Sequence, residues 1–495
     1  MSHSVPLQAL LQQCEQEPLA YSGAIQPHGA LLCIDADSQF ITHASANLQE
    51  FTGLDAKVLL GQVYTTVDWL QRSLQTLSFP LKKSLFMERV SKTEEGQWFD
   101  LRLIHAETVI LVEIERSQNR QHYSELQHYQ RLLLKPPDSA TDLIEYHQIL
   151  LQAVQVVTGL SRLMIYQFHP DWSGEVIAEL AAPGLGSYLG LRYPASDIPA
   201  IARQLYLRNP VRYIPDIRAE PVLLLSADGS SADLSLTDLR SVSPIHVQYL
   251  SNMGVAASCS FPIVIGGQLW GLLACHHYLP LKLSPAQRRL CANVVTSYKL
   301  GLAHYFTSHR LKLLDSLERR AEKILRQIFD HPDPQDNIEK NADTLMAAFD
   351  AEGFAAVFNQ NVVTVGMALE FSELAVLDQY LTEHEEGILV HDHLIELFPN
   401  QALPLAVAGV LAIKADSRRQ IGRIHLYWFR VEEKQEIAWA GNPNKPILED
   451  AGALILSPRR SFEKWVEVRS GYCRPWSDAE KLLANRLRNM LLSWL

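Results

Sequence analysis

Residues 259–275, CSFPIVIGGQLWGLLAC, decide the fold class. Two runs of apolar and β-branched residues flank the pair Gly266-Gly267. A Gly-Gly pair between such runs favours a two-residue hairpin, because glycine adopts the positive φ angles of that turn at no steric cost. The sequence therefore predicts an antiparallel sheet in this region.

Working outward, the same signals recur on the N-terminal side. Residues 163–169 and 175–180 flank a turn at 171–174, which predicts a second hairpin. Further upstream, residues 29–35 and 39–44 read as a strand and its return, and a helix-like segment follows at 46–51. Strands in pairs beside short helices indicate an α+β fold.

After Pro285 the pattern becomes helical, and two apolar stripes recur at steps of three and four. Such a stripe packs either onto the chain's own core or against a second copy in a coiled coil, and the sequence leaves both open. A chain that stops on such a stripe is expected to continue into an output module. The stripes are Leu314, Leu317, Ala321, Ile324 and Ile328, and then Leu483, Leu487, Met490 and Trp494.

The length of 495 residues allows about three domains. The pair Pro136-Pro137 marks a linker, since proline removes a backbone donor and holds its neighbours extended. A stretch of over forty residues, about 431–475, interrupts the last domain, and excursions of this length are usually functional. From these signals, a first domain is expected to end near the linker and a third to begin at about residue 335.

Composition narrows the function. Hydrophobic residues make up 47% and charged residues 20%, as in ordinary globular proteins. The net charge of −11 offers no footprint for nucleic acid or for an anionic membrane. No Lys or Arg precedes Lys57, so a secretory signal is not expected, and the apolar runs are too short to span a bilayer. We expect a cytoplasmic protein.

Catalytic and metal motifs are missing from the sequence. None of the patterns GxxxxGK[ST], GxGxxG, GxSxG and HExxH occurs, and the six cysteines contain no CxxC pair. The segment His384-Glu385-Glu386 with His391-Asp392-His393 is the nearest approach to a metal site, but it lacks a second histidine one helical turn from the first. We expect neither a metal site nor an enzyme in this chain.

Five motifs, in order, resemble the photosensory core of bacteriophytochromes, which carries PAS, GAF and PHY domains. The resemblance covers essentially the whole chain. It implies an α+β protein with three sensor domains, each built on a central antiparallel sheet and joined to the next by long helices. The motifs are Cys14-Glu15-Gln16-Glu17-Pro18 followed by Ile25-Gln26-Pro27-His28-Gly29; residues 193–199, YPASDIP; Ser243-Pro244-Ile245-His246; residues 270–277; and residues 458–462.

By this resemblance, residues 1–18 are an N-terminal arm that carries the attachment cysteine, residues 19–134 are the PAS domain and residues 139–308 are the GAF domain. Residues 309–495 are the PHY domain, with its tongue at about 431–475 and a C-terminal signalling helix. The cofactor implied is biliverdin, a linear tetrapyrrole linked by a thioether to Cys14. Related proteins that attach their bilin through the GAF domain have a cysteine where this chain has Ile245. From composition alone, Cys14 could equally be a stray exposed thiol.

A tetrapyrrole needs apolar walls, cations for its carboxylates, and acceptors for its pyrrole nitrogens. The resemblance places Arg212 and Arg240 at the propionates, the Asp197 carbonyl at the nitrogens, and His276 at the D-ring. His276 and His277 are neighbours on a strand, so only one of them can face the pocket. The remaining implied pocket residues are His246, Ser258, Ser260, Met164, Tyr166, Tyr193, Tyr249, Ile198 and Pro199.

The implied activity is red/far-red photoreception by Z/E isomerisation at C15=C16. Asp197 is then expected to exchange partners with Arg459 and Ser461, and the tongue to refold between strand and helix. A homodimer through GAF, PHY and C-terminal helices is implied, with a fused output domain such as a histidine kinase or diguanylate cyclase. The other tongue residues implied are Pro458, Trp439, Trp465 and Glu467.

A protein of another class remains open. A light-insensitive PAS–GAF sensor of a cyclic nucleotide, haem or protein partner would show the same domain pattern. It would not explain Cys14 together with the predicted pocket residues.

Overall fold

The computed structural model describes residues 18–75, 84–93, 95–119, 121–330, 334–358, 361–383, 385–397, 407–416, 423–443, 447–450, 453–456 and 462–494. The chain forms two compact units. The first comprises Met1–Tyr305 with Ala438–Trp465, and the second comprises Phe306–Ile437 with Val466–Leu495. Each is described by itself.

The first sheet of the first unit has seven strands in the order β1-β11-β3-β2-β6-β5-β4. The strand predicted at 29–35 is confirmed as β2, its return is β3, and the helix after it is α1. Apolar side chains of the sheet and of three short helices form one core. The strands are β1 Ala24–Ile25, β2 Gly29–Asp35, β3 Ile41–Ser45, β4 Ser84–Lys92, β5 Trp98–His105, β6 Val109–Arg116 and β11 Val222–Ser226, and the helices are α1 Leu48–Thr52, α2 Ala56–Leu59 and α3 Asp68–Gln75.

Strand β11 joins this sheet from far along the chain. It pairs antiparallel with both β1 and β3. On its other side, β1 forms a bridge between Ile25 and Arg240. The N-terminal strand therefore runs between two arms of one loop, residues 222–241, which belongs to the following part of the chain.

The second sheet follows the order β10-β12-β13-β7-β8-β9-β19-β22. The predicted hairpin is confirmed: β12 and β13 are antiparallel, and Gly266 and Gly267 have φ angles of 58° and 80°. β9 and β19 pair in parallel. The strands are β7 Arg162–Phe168, β8 Gly174–Ala181, β9 Arg192–Tyr193, β10 Arg212–Ile214, β12 Ala257–Ile265, β13 Gln268–His277, β19 Gln435–Ala440 and β22 Lys464–Arg469.

Helices surround this second sheet. α5 begins with a capping box, in which Ser139 and Asp142 bond each other's backbone N–H. α8 is the longest helix of the described residues, and the boundary between the two units falls within it. The helices are α4 Leu126–Leu133, α5 Ala140–Thr158, α6 Ala200–Arg208, α7 Pro244–Asn252 and α8 Pro285–Phe329.

The second unit has a five-stranded antiparallel sheet in the order β15-β14-β18-β17-β16. Its helices are α9–α12, with the last part of α8. The strands are β14 Gly353–Phe358, β15 Asn361–Gly366, β16 Ile388–His391, β17 Gly409–Asp416 and β18 Arg423–Arg430, and the helices are α9 Pro334–Lys340, α10 Ala342–Ala348, α11 Phe371–Glu383 and α12 Asp478–Trp494. Between β19 and β22, β20 Ile447–Asp450 and β21 Ala453–Leu456 pair as a hairpin.

Both predicted apolar stripes meet in the core of the second unit. Leu317, Ala321, Ile324 and Ile328 are buried there with Leu483 and Leu487, and Met490 packs against the same cluster. Leu314 instead is 43% exposed. Packing onto the chain's own core therefore accounts for these two stripes, apart from Leu314; Trp494 carries no described side chain.

No helix among the described residues combines the length and the apolar composition needed to cross a bilayer. The same residues contain no group of three or more His, Cys, Asp or Glu side chains placed to hold a metal ion. His384 of the metal-like segment lies outside them.

Candidate ligand-binding cleft

A cleft of about 1640 Å³, counting its open part, lies in the first unit. Its floor comes from β7, β12 and β13, and its walls from α6, α7 and the short turn Ala195–Asp197. Leu19, from the start of the described chain, also lines it. The cleft therefore includes a residue that directly follows the predicted N-terminal arm.

The structure brings all the predicted pocket residues together. The turn supplies Asp197, the two residues before α6 are Ile198 and Pro199, and α7 supplies His246 and Tyr249. The thirteen residues that line the cleft are Met164, Tyr166, Tyr193, Asp197, Ile198, Pro199, Arg212, Arg240, His246, Tyr249, Ser258, Ser260 and His276. Cys14 lies outside the described residues.

Two arginines make one end of the cleft positive. Arg212 donates from Nη1 to the Arg240 carbonyl at 2.7 Å and from Nη2 to the Ser241 carbonyl at 3.0 Å. Arg240 donates to the Leu19 carbonyl at 2.9 Å. Burial, with the neighbouring charge of Arg240, lowers the pKa of Arg212 to about 9. Among the described residues, no carboxylate lies within ion-pair distance of Arg212, so this end favours an anionic ligand.

Hydroxyl groups stand beside these arginines. Ser258 and Ser260 alternate along β12 and therefore face the same side. Tyr206, on α6, bonds Ser260, and burial raises the pKa of this tyrosine. Donors from strand and helix thus converge where the two guanidinium groups lie.

Two histidines face the middle of the cleft. Burial, followed by the charges of Arg212 and Arg240, lowers the pKa of His246 to about 4. Burial lowers the pKa of His276 to about 3, and its Nδ1 has no hydrogen-bond partner among the described residues. His277, as alternation requires, points elsewhere and bonds Ser161 at 2.7 Å. His276 therefore lines the cleft with a buried ring whose Nδ1 has no partner among the described residues.

Asp197 is held at its carboxylate by a tyrosine. Tyr249 donates its hydroxyl to Asp197 Oδ2 at 3.0 Å. The Tyr249 ring lies parallel to His246, with ring centroids 6.2 Å apart, and meets Phe462 edge-on at 5.2 Å. Asp197 is thus connected to the segment that carries Phe462.

Aromatic and thioether side chains from β7 and β9 also line the cleft. Met164, Tyr166 and Tyr193 are buried there, and the two tyrosine rings lie 5.8 Å apart. Gly174, on β8, lies so close to the Tyr166 ring that a Cβ at this position would overlap it. The absence of a side chain at 174 therefore makes room for the Tyr166 ring.

The predicted tongue residues are only partly described. Trp439 is buried and pairs in register with Arg192 of β9, whereas Trp465 is 39% exposed. Glu467, in the second unit, bonds Arg469 at 2.9 Å. Pro458, Arg459 and Ser461 lie outside the described residues, so their predicted pairing with Asp197 stays a prediction.

Several lining residues escaped the sequence reasoning. On α6 they follow one helical face, at Ala202, Leu205, Tyr206 and Asn209. Their spacing of three and four from the predicted Pro199 was a usable signal. Ser235 and Thr237 come from the loop that encloses β1, and no local pattern points to them.

Similarity to known proteins extends over nearly the whole chain. Residues 14–117 match the PAS fold, 142–297 the GAF domain and 317–495 the phytochrome region. Cyanobacterial phytochrome B of Nostoc sp. is 32% identical over 99% of this chain and 67% of its own length. The bacteriophytochrome of Pseudomonas aeruginosa is 34% identical over 97% of this chain and 66% of its own. The chain thus spans about two thirds of these relatives.

Two solved structures are also similar. A bacteriophytochrome from the photosynthetic bacterium R. palustris superposes with a TM-score of 0.84 at 29% identity, covering 97% of this chain and 98% of that one. The phytochrome photosensory core module of Stigmatella aurantiaca gives a TM-score of 0.83 at 31% identity, covering 97% of each chain.

Proposed function

The chain belongs to the phytochrome family, and we propose that it is a red/far-red photoreceptor module that covalently binds biliverdin. The observation that carries the proposal is the cleft, where a positive end and two histidines are combined with apolar and aromatic lining residues. The proposed module is not itself an enzyme.

The residues of the cleft fit a linear tetrapyrrole. Its two propionates match Arg212 and Arg240, with Ser258 and Ser260 as further donors; each charge-assisted bond contributes about 1.5–3 kcal/mol. His276, which lines the cleft, is the proposed partner of its D-ring carbonyl. Met164 and the tyrosines, with Ile198 and Pro199, bury the apolar rings.

Cys14 is the proposed attachment site. The cysteines of the described residues are all buried, and burial raises the pKa of each of their thiols. A thiol held protonated inside a core is a poor nucleophile. Leu19 lines the cleft only five residues after Cys14, which supports attachment from this arm.

The protein's own residues orient the ligand and exchange partners. When bound, the bilin supplies light absorption and isomerisation at C15=C16. The Asp197 backbone carbonyl would accept from the pyrrole nitrogens, and His246 would lie beside them. The Asp197 carboxylate, which accepts from Tyr249 in this structure, is proposed to exchange this bond for Arg459 or Ser461.

The tongue is the proposed relay. Its described ends are strands, and Trp439 joins the sheet beside the cleft. Its proposed refolding to helix would break this pairing. Trp465 and Glu467 are proposed to set the alternative register, and Pro458 to limit the helix.

A longer protein is proposed around this module. The curated relatives are about half as long again, which fits an output domain such as a histidine kinase or diguanylate cyclase. We propose a homodimer through the GAF, PHY and C-terminal helices, on which Leu300, Leu311 and Leu314 are exposed. A cytoplasmic location is proposed with it.

Reconstitution with biliverdin tests the function. We expect red and far-red light to interconvert two absorption spectra reversibly; material that stays colourless or unchanged by light overturns the proposal and favours a light-insensitive sensor. On a denaturing gel stained with zinc, Cys14→Ser should lose the fluorescent band that Cys33→Ser keeps. A band that persists in Cys14→Ser identifies another cysteine as the anchor.

A further inference from the structure

Trp172 adopts a conformation that its residue type disfavours. It lies in the turn between β7 and β8 with a φ of 63°, in the left-handed region that bulky residues rarely enter. The turn is closed by Asp171, whose Oδ1 accepts from the backbone and hydroxyl of Ser173 at 2.9 and 2.6 Å. Glycine or asparagine would suit this position better, so the side chain of Trp172 calls for a reason.

Burial of the indole does not supply that reason, because Trp172 is 42% exposed. The guanidinium of Arg203 instead lies over the indole ring, with its central carbon 4.5 Å from the ring centroid. A cation over an indole face is attracted by the ring's quadrupole. The ring also meets Phe168 edge-on at 5.8 Å, which fixes its orientation.

The same guanidinium also bonds a residue that lines the cleft, Ile198. Its Nη1 donates to the carbonyl of Ile198 at 2.6 Å. This carbonyl belongs to the residue directly after Asp197, in the segment that leads into α6. A continuous line of contacts therefore runs from the exposed turn to the peptide beside Asp197.

We infer that Trp172 and Arg203 are positioning residues for Asp197. Tyr249 holds the carboxylate of Asp197, whereas Arg203 holds the backbone that follows it. This arrangement would hold the backbone beside the Asp197 carbonyl in place while the carboxylate exchanges partners. The inference rests on the proposed function and adds two residues, of which only Arg203 belongs to a helix that lines the cleft.

Because Trp172 has a positive φ, its replacement by glycine can separate an effect on the position of Asp197 from an effect on stability. Trp172→Gly removes the ring and also the conformational strain, so the melting temperature should stay level or rise. Trp172→Phe keeps both an aromatic face and the strain. Arg203→Ala removes the bond to Ile198 directly. If Trp172 has a purely structural role, Trp172→Gly should change the melting temperature and leave the backbone beside Asp197 unaffected.

The first measurement uses the ligand-free protein. We expect amide hydrogen exchange in the peptide covering 194–200 to be at least about tenfold faster in Trp172→Gly and Arg203→Ala, because local opening is no longer opposed by the clamp. Trp172→Phe should exchange at nearly the wild-type rate. Wild-type protection in both Trp172→Gly and Arg203→Ala overturns the inference.

The second measurement uses biliverdin. Misplacement of the Asp197 carbonyl destabilises a protonated bilin, so its deprotonation pKa should fall by about one unit in Trp172→Gly and Arg203→Ala, a tenfold change. An unchanged pKa in both variants, beside a wild type that photoconverts, overturns the inference alone. A wild type that does not photoconvert overturns the proposed function, whatever the exchange rates show.

Discussion

Replacing Arg212 by methionine should weaken ligand binding without destabilising the protein. Among the described residues, no carboxylate forms an ion pair with Arg212. Burial lowers the pKa of Arg212 to about 9. Removing it relieves the cost of an uncompensated charge, while water in the open cleft can take over its two carbonyl acceptors. The melting temperature of the ligand-free protein should therefore stay level or rise.

Arg288 provides the matched control. It is 2% exposed and forms an ion pair with Glu115. Arg288→Met leaves that carboxylate buried without its partner, which costs about 3–5 kcal/mol. For the first unit this corresponds to a fall in melting temperature on the order of 10 °C. The two substitutions delete the same group with opposite expected results.

Binding is measured in a Cys14→Ser background, where the ligand remains reversible. Losing one charge-assisted contact of about 1.5–3 kcal/mol should raise the Kd for biliverdin about 10- to 100-fold in Arg212→Met. Differential scanning fluorimetry supplies the melting temperatures. If Arg212→Met melts as low as Arg288→Met, or binds biliverdin as tightly as the parent, the charge is not held there for a ligand and the reasoning fails.

Three further predictions address the wall and the buried titratable groups. Gly174→Ala should push the Tyr166 ring into the cleft, costing about 1–3 kcal/mol and shifting the absorption of bound biliverdin; an unshifted spectrum contradicts this. Burial raises the pKa of Glu113, so the folded protein holds a proton on this carboxyl that the unfolded chain releases. The free energy of unfolding should therefore fall as the pH rises from about 5 to about 8. In urea titrations Glu113→Gln should flatten this dependence on pH, and an unchanged dependence counts against the prediction. His147 bonds Tyr298, and burial lowers the pKa of this histidine to about 4. The free energy of unfolding should therefore fall as the pH drops from about 6.5 to about 4. His147→Gln should abolish that part of the loss, and an equal loss in both proteins would refute the prediction.

The elements that the sequence predicts depend on residues that lie close together in the chain. The hairpin at Gly266-Gly267 and the strand at 29–35 follow from turn residues and periodicity, which act within a few residues, and both are present. The pocket residues came from motifs, which name side chains without requiring the fold. All thirteen line one cleft, although their contacts with a bilin remain a proposal.

Long-range pairing explains what was missed. Residues 222–226 form an ordinary apolar run, and nothing local indicates that they join a sheet built from the first 116 residues. Thr237 and Ser235 reach the cleft through the same loop, so they were missed for the same reason. The clamp on Asp197 was hidden too, because Trp172 and Arg203 are thirty-one positions apart.

Because β11 is synthesised after the other strands of the first sheet, this sheet can be completed only late in translation. While the ribosome is still making the middle of the chain, β3 presents an open edge, and such edges invite pairing with other molecules. The first sheet closes only after residue 226 has emerged, and β1 must then be enclosed by the nascent loop. A truncation that ends at the linker would therefore leave the N-terminal domain permanently unfinished and prone to aggregate.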